Sequence, residues 1–420
     1  MTIGSRGDIE PFVWLARALN KTGYEVTLCA PFKPDYFPDA NGIGFFSLLS
    51  EESEFNPKGD PRRRSDSRPT WQDRSARKRF GVEVLAGLAR VAEEPADVVI
   101  HHAGLPGNQI AELLDVPHIA VCFDPCWIPT ESFPSALCPI WLPSSLNRMS
   151  YFRSKPNVVI RQIVGNTVEW RQQVLGLKDR KGCEDPMLRA DGSPATVINA
   201  FSEQMFNNSL LRYPEGVHTT GFWFPEYDEN RKLDKGIFEF TNTAESTVYV
   251  GFGSIGETKY HNQRALSKAL EKSGVRAVVG SAIDGAGKFA GNSIFVADDV
   301  PFDLLFPRVD GVVHHGGIGT LAAALAAGKP QAIHPIGPKN SKLVSKFRFN
   351  SWQMHLNGVA PKPIMNRKKF TESLAESIAE IVWSPERCKR AQEISKEIRR
   401  EDGIKATVGI VNGLLRSGSS

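Results

Sequence analysis

The chain lacks any apolar run long enough to cross a bilayer, which takes about 20 consecutive residues. It also lacks the basic-then-apolar opening of a secretory signal. Its six cysteines are scattered over 420 residues, which excludes a disulfide framework. Only Cys122 and Cys126 lie close together, at a spacing that suits neither a redox pair nor a zinc knuckle. Buried free thiols in a reducing cytosol are the expectation. No Asp-x-Asp triplet occurs, and no cluster of His, Cys, Asp and Glu has metal-ligand spacing, so no metal is expected. A net charge of only +4 gives no argument for a nucleic-acid partner. Short-period repeats are missing. The opening is scant as well: Met1–Thr2–Ile3 precede a turn-like Gly4–Ser5–Arg6–Gly7, whereas a strand usually has about five residues. The first strand reads as clipped, with a true start upstream.

What is present is an alternation of strand and helix signals. In the first half, residues 9–20, 80–91 and 109–114 have helical spacing. Residues 25–30, 97–101, 118–123, 196–201 and 217–222 read as strands. Residues 125–143, rich in Pro, Trp and Ser, read as a long loop, and 151–175 as a helix. A charged stretch with little periodicity, 225–244, looks like a connection. A second series then begins, with strands at 247–252, 276–279, 293–296, 311–313 and 331–334 and helices at 263–272, 369–382 and 385–415. Strands separated by helices imply right-handed crossovers and parallel sheets. The fold class is therefore α/β, with parallel-sheet domains at 1–224 and 245–384, a linker at 225–244 and a helical tail at 385–420.

The most specific local pattern is Val312–Val313–His314–His315–Gly316–Gly317–Ile318–Gly319–Thr320. A β-branched strand runs into two histidines and three glycines, and an alanine-rich helix follows. Glycines let backbone approach a phosphate closely, and the helix start aims free N–H groups at it. His315 adds a side-chain donor and Thr320 a hydroxyl. Gly251–Phe252–Gly253–Ser254–Ile255–Gly256 matches the dinucleotide fingerprint, but the next strand, Arg276–Ala277–Val278–Val279, supplies no ribose-binding acid. Gly253 and Ser254 read instead as a tight turn facing a ligand.

Other polar residues sit where first-half strands end, the edge at which open α/β sheets bind ligands. Asp8 is either a helix N-cap or a general base. His101 and His102 either line a pocket or include a buried, hydrogen-bonded histidine, and Asp124 with Pro125 ends the next strand similarly. The stretch opening at Arg62 and closing at Arg79 carries eight Lys or Arg against two Asp. It is either a solvated loop or a contact for anionic lipid head groups or an anionic acceptor.

These residues resemble family 1 glycosyltransferases of the sterol, antibiotic and rhamnolipid type. The resemblance rests on Gly4–Ser5–Arg6–Gly7–Asp8–Ile9–Glu10–Pro11–Phe12, on Val300–Pro301–Phe302–Asp303–Leu304–Leu305–Phe306–Pro307–Arg308 and on the His-Gly-Gly segment. Pro129–Thr130–Glu131–Ser132–Phe133–Pro134, Thr220–Gly221–Phe222–Trp223–Phe224 and Glu401–Asp402–Gly403–Ile404 add to it. It implies a GT-B fold: two facing Rossmann-like domains, the first holding the acceptor, the second a UDP- or TDP-sugar, with the C-terminal helix crossing back to the first. It implies inverting, metal-independent transfer without a cofactor. Asp8 matches the base. His315, Gly316, Gly317, Gly319 and Thr320, with Gly253 and Ser254, match the pyrophosphate cradle, and Val300 and Phe302 match the nucleobase segment. His101, His102, Trp127 and Phe133 are placed in the pocket of a lipophilic acceptor: a sterol or other terpenoid, a hydroxy fatty acid or a polyketide. Structural packing of those aromatics is the other reading. A cytoplasmic protein is expected, with peripheral membrane contact through the Arg62-to-Arg79 stretch.

One departure from the family is plain. It usually places Asp-Gln, which binds the sugar hydroxyls, after the cradle helix. Here a simple register puts Lys339 and Asn340 there, and a shifted one puts Ser345–Lys346–Phe347. No Asp or Glu occurs between Gln331 and Thr371. An ammonium only donates and does not replace an acceptor. The donor sugar is then acidic, or a deoxysugar, or the chain is a non-catalytic GT-B homologue that binds or activates a partner.

Overall fold

Short β-branched runs between helices fold here as parallel strands. The computed structural model describes residues 1–34, 37, 42–55, 73–138, 143–154, 156–206, 211–226, 231–252, 263–280, 292–298, 300–337, 342–365 and 369–417. The first half runs α1 (Arg6–Lys21), β1 (Val26–Ala30), β2 (Ile43–Ser47), α2 (Arg74–Val91), β3 (Val99–His102), α3 (Gly107–Leu114), β4 (His118–Cys122), α4 (Asn147–Ser150), α5 (Pro156–Ile163), α6 (Thr167–Gln173), β5 (Thr196–Asn199) and β6 (Val217–Thr219). The second runs α7 (Lys235–Thr241), β7 (Thr247–Gly251), α8 (Gln263–Ser273), β8 (Arg276–Gly280), β9 (Ile294–Ala297), α9 (Phe302–Leu305), β10 (Gly311–His314), α10 (Ile318–Ala326), β11 (Gln331–Ile333), α11 (Lys342–Leu356), α12 (Phe370–Trp383), α13 (Pro385–Ile398) and α14 (Gly403–Ser417).

Every pairing between these strands is parallel. The first half holds a β1-β2 pair and a β3-β4-β5-β6 sheet. Residues 1–3 lie between them: Thr2 N donates to Cys29 O and His102 N to Met1 O, both at 2.9 Å. The second half forms one sheet of order β11-β10-β7-β8-β9. In each half the chain leaves its first strand on one side and returns on the other. The switch points therefore fall between residues 1–3 and β3, and between β7 and β10. Crevices at the carboxyl ends of such points are where open α/β sheets take ligands.

Helix α1 shows how local sequence fixes one of these edges. Ser5 is its N-cap, and Asp8, three residues on, returns its carboxylate to the Ser5 backbone N–H at 2.8 Å and to the Ser5 hydroxyl at 3.0 Å. Gly4 has φ +141°, and a Cβ there would lie 2.2 Å from Asp8 Oδ2, so only glycine lets the carboxylate fold back. The apolar face of α1 (Ile9, Phe12, Val13, Leu15, Ala16, Leu19) is buried. Phe12 meets Phe123 and Trp223 edge-on at 5.6 and 5.7 Å.

The helical tail spans both halves. On α13, Ser395 Oγ donates to Ala326 O at the end of α10, at 2.7 Å. On α14, Val408 and Val411 join the core of the first half, and Tyr24 donates to Asn412 Oδ1 at 2.6 Å.

Several sequence expectations change. The 151–175 helix is broken into α5 and α6, because Gly165 turns at φ +92° and Asn166 caps a new start through Val168 N at 3.2 Å. The charged connection at 225–244 contains α7, capped by Asp234. The end of the Arg-rich stretch is helical, not loop: Asp73 caps α2 through Ala76 N at 2.8 Å, and Arg74 to Arg79 form its first turns. The rest of that stretch, 62–72, lies outside the described residues.

Candidate active site

Strand β10 delivers His314 and His315 to the switch point of the second half. His314 is fully buried. Its Nε2 bonds Gln331 Oε1 at 2.8 Å and its Nδ1 accepts from Gly316 N at 3.2 Å. Accepting at Nδ1 puts the proton on Nε2. Burial, with His315 adding to it, pushes the His314 pKa down to about 3, so the ring is neutral. It is a brace for the turn, not a ligand group. His315 faces the other way. It is 7 % exposed and meets Phe347 edge-on at 4.7 Å. Burial lowers its pKa to about 4, and the Gly251 carbonyl opposes the shift. Its Nδ1 is buried and has no hydrogen-bond partner among the described residues, a deficit that native interiors rarely leave unmet.

Two of the three glycines are demanded by their neighbours. Gly316 turns at φ +99°, and a Cβ there would touch the Phe347 carbonyl at 3.0 Å. Its own carbonyl accepts from Asn350 Nδ2 at 2.9 Å, a clamp from α11. A Cβ on Gly317 would strike His315 Nε2 at 2.5 Å. Gly317 is the N-cap of α10 and offers no side chain, so the first N–H groups of the helix are left uncapped. A Cβ on Gly319 would meet nothing within 4 Å among the described residues; that residue is exposed, and Thr320 follows half-buried. The result is a bare helix start beside a buried, neutral imidazole. It suits an anion held by backbone dipoles.

The first half faces this cradle with Asp8 and the segment after β4. Asp8 is half-buried at N3 of α1, so the capping role falls to Ser5 and Asp8 supplies the reciprocal contact. Asp124 is buried and ion-paired with Lys346 of α11, and the pair joins the two halves. Burial opposes the Lys346 charge, yet the negative charge of Asp124, with that of Asp8 behind it, carries its pKa above the ordinary lysine value. Burial raises the Asp124 pKa; Lys346 counters this and Asp8 adds to it. One ammonium thus stands among two carboxylates. Of the two registers considered for the missing Asp-Gln, Lys346 is the residue found here, while Lys339 and Asn340 lie outside the described residues, as do Gly253 and Ser254.

Strand alternation separates the two histidines of β3. His101 is fully buried. Its Nε2 lies 3.2 Å from His118 Nδ1, and a Cβ on Gly107 of α3 would overlap its ring at 2.3 Å. Burial, then His118, holds its pKa well below the usual value. His102 lies on the opposite face, half-buried, stacked on Phe123 and edge-on to Trp127, both at 5.9 Å. Trp127 is buried. Phe133 stacks on Phe206 at 4.4 Å and tilts against Phe349 of α11 at 5.6 Å, an aromatic joint between the halves. Val300 and Phe302 flank Pro301, the N-cap of α9. Phe302 stacks on Phe306 at 4.5 Å and packs against Tyr249 at 5.4 Å. Among the described residues no group of three His, Cys, Asp or Glu is placed to hold a metal, and no helix is long and apolar enough to cross a membrane.

Asn350 and Gln331 hold the turn together with His314, yet nothing in the sequence marked those two. Their only signal is that each is a polar residue in an otherwise apolar, buried stretch.

The chain aligns along almost its whole length with sterol glucosyltransferases. It is 28% identical over 433 residues to the sterol 3-beta-glucosyltransferase of Komagataella phaffii, covering 97% of this chain and 34% of that one. It is 26% identical over 438 residues to an Arabidopsis thaliana sterol 3-beta-glucosyltransferase, covering 97% and 64%. It therefore spans about a third of the yeast relative's length and just under two thirds of the plant one. No family model matches the chain. Among solved structures, the kitacinnamycin glycotransferase superposes with a TM-score of 0.64 at 16% identity, covering 98% of this chain and 97% of that one. The calicheamicin glycosyltransferase CalG4 gives 0.64 at 14%, covering 98% and 96%. The fold is α/β with the two Rossmann-like halves of GT-B glycosyltransferases. In sequence the chain is similar to sterol 3-beta-glucosyltransferases, and in fold to the glycosyltransferases named above.

Proposed function

We propose that this chain transfers a sugar from a uridine or thymidine diphosphate donor to a hydroxyl of a lipophilic acceptor, with inversion and without a metal. The observation that carries the reading is the bare N-terminus of α10 beside His315, at one switch point, with Asp8 at the other. A diphosphate on α10 is stabilised by backbone N–H groups as the bond from the anomeric carbon to phosphate breaks. The acceptor oxygen attacks that carbon from the opposite face, and Asp8 takes its proton. Ser5 holds the Asp8 carboxylate by two hydrogen bonds. A sterol or related terpenoid is the acceptor class favoured, by analogy with the named activity of the relatives. His102 and Trp127, beside the cleft segment, supply apolar wall.

The test is mass spectrometry of products after incubation with UDP-glucose or TDP-glucose and a sterol, beside titration of UDP and TDP binding. Wild type is expected to bind one nucleotide and yield sterol glucoside. Asp8→Asn retains an oxygen for the Ser5 contact, so it is expected to bind nucleotide normally and lose turnover at least a hundredfold. Nucleotide binding without any product would favour the non-catalytic partner reading. No binding of either nucleotide would refute the cradle.

A further inference from the structure

The pair Asp124–Lys346 has no part in the chemistry above, yet it links the segment after β4 to α11 across the two halves. The Asp124 side chain is 5 % exposed and that of Lys346 24 %. Oδ2 of Asp124 takes the ammonium, but Oδ1 is buried and has no hydrogen-bond partner among the described residues. A carboxylate oxygen accepts two donors, and leaving one buried without any is costly. Its position shows what would supply them. Lys346 precedes Phe347, whose ring touches His315 and whose backbone abuts Gly316, so the pair lies next to the phosphate cradle. Asp8 acts electrostatically on both members from the other side. A sugar passing from a diphosphate on α10 to an acceptor at Asp8 would therefore lie beside this pair.

Resting on the glycosyl-transfer reading, we propose that Asp124 is the carboxylate that accepts hydroxyl groups of a neutral donor sugar, with Lys346 as the residue that positions it. The second half has no Asp or Glu between Gln331 and Thr371 to do this; the carboxylate comes instead from the first half and is tethered by the lysine. The same pairing neutralises the Lys346 ammonium, so it selects against an acidic donor sugar.

The experiment is calorimetric titration of wild type, Asp124→Asn and Asp124→Asn/Lys346→Gln with UDP, UDP-glucose and UDP-glucuronic acid (or the thymidine counterparts, should TDP be the nucleotide bound). UDP affinity is expected to stay within about twofold throughout. UDP-glucose affinity is expected to fall about ten- to hundredfold in both variants, the loss of a charged hydrogen bond. Asp124→Asn releases the ammonium, so it alone is expected to shift preference toward UDP-glucuronic acid, by about tenfold or more. The double variant removes the stranded charge and guards against loss of the fold, and Lys346→Arg, which keeps the pair, is expected to keep the UDP-glucose preference. An unchanged ratio of UDP-glucose to UDP affinity in a folded Asp124→Asn or double variant overturns the inference. Failure of wild type to bind UDP or TDP overturns the glycosyl-transfer reading itself.

Discussion

Acidification reads the buried histidine of the cradle directly. An imidazole in the unfolded chain titrates near 6.5, whereas folded His314 titrates at about 3, because burial disfavours its charged form. Between those values the unfolded state binds a proton that the folded state refuses. Stability from His314 is therefore complete above about pH 6.5 and falls as pH drops toward 3. At pH 5 the protonated form of a free imidazole outweighs the neutral one about thirtyfold, which costs the folded state about 2 kcal/mol through this residue alone. In mid-window the slope is about 1.4 kcal/mol per pH unit. His118 and His315, each lowered to about 4 by burial, add to the same fall, while the raised Asp124 and Glu401 carboxyls act against it. Comparison with His314→Asn isolates the single group, since an amide oxygen still accepts from Gly316 N. Urea midpoints measured at half-unit steps from pH 7.5 to 4.5 are expected to give a wild-type slope steeper than the variant's by about one proton. Equal slopes would show that His314 is not held neutral and that the account of the turn is wrong.

Four further outcomes follow from the packing. Gly316→Ala forces a positive-φ alanine against the Phe347 carbonyl and is expected to lower stability by about 1–3 kcal/mol, read from the urea midpoint. Phe349→Ala removes the α11 member of the aromatic joint with Phe133 and Phe206 and is expected to cost about 3–5 kcal/mol by the same measurement. Arg171→Ala removes a side chain 1 % exposed and one of the two guanidiniums on Glu112, leaving Arg180 as its partner, for an expected loss of about 1–3 kcal/mol. Gly319→Ala meets no atom of the described residues, so stability is expected to hold or rise slightly in thermal melts, while UDP binding weakens as the new methyl intrudes on the helix start.

The alternation of strands and helices was legible because parallel strands buried on both faces read as short apolar runs, and nearly all were found where those runs lie. Of the elements that were not, α7 among them, two show why. Strand β2 is only Ile-Gly-Phe-Phe-Ser, with an interior glycine that weakens any strand signal. Helix α11 buries Val344, Ser345, Phe347, Phe349, Asn350, Ser351, Gln353 and Met354. These positions point almost all round the helix, and half are polar, so no single apolar stripe reveals it. Asp8 presents the complementary case: a cap and a base use the same residue type at the same sheet edge, and only the backbone shows that Ser5 does the capping.

The turn from β10 into α10 was readable because its pattern is local. Strand, glycine turn and helix start follow one another within ten residues, with Gly316 required by its positive φ and Gly317 by His315 two positions before it. The carboxylate that faces it was not readable, because Asp124 and Lys346 are separated by more than two hundred residues and meet only when the two halves face each other. Taken alone, Lys346 removes an acceptor and argues for a damaged sugar site. Taken with Asp124 the charge is restored from the opposite side of the cleft, and the pair costs less than either member would if buried alone. A variant that restores an acid at 346 therefore places a third carboxylate beside Asp8 and Asp124. Lys346→Asp is expected to destabilise the fold at neutral pH and to recover part of the loss as pH falls and the carboxylates protonate, whereas Asp124→Asn/Lys346→Asp is expected to behave normally. Urea midpoints at pH 5.5 and 7.5 distinguish the two, and equal behaviour would show that position 346 does not sense Asp124.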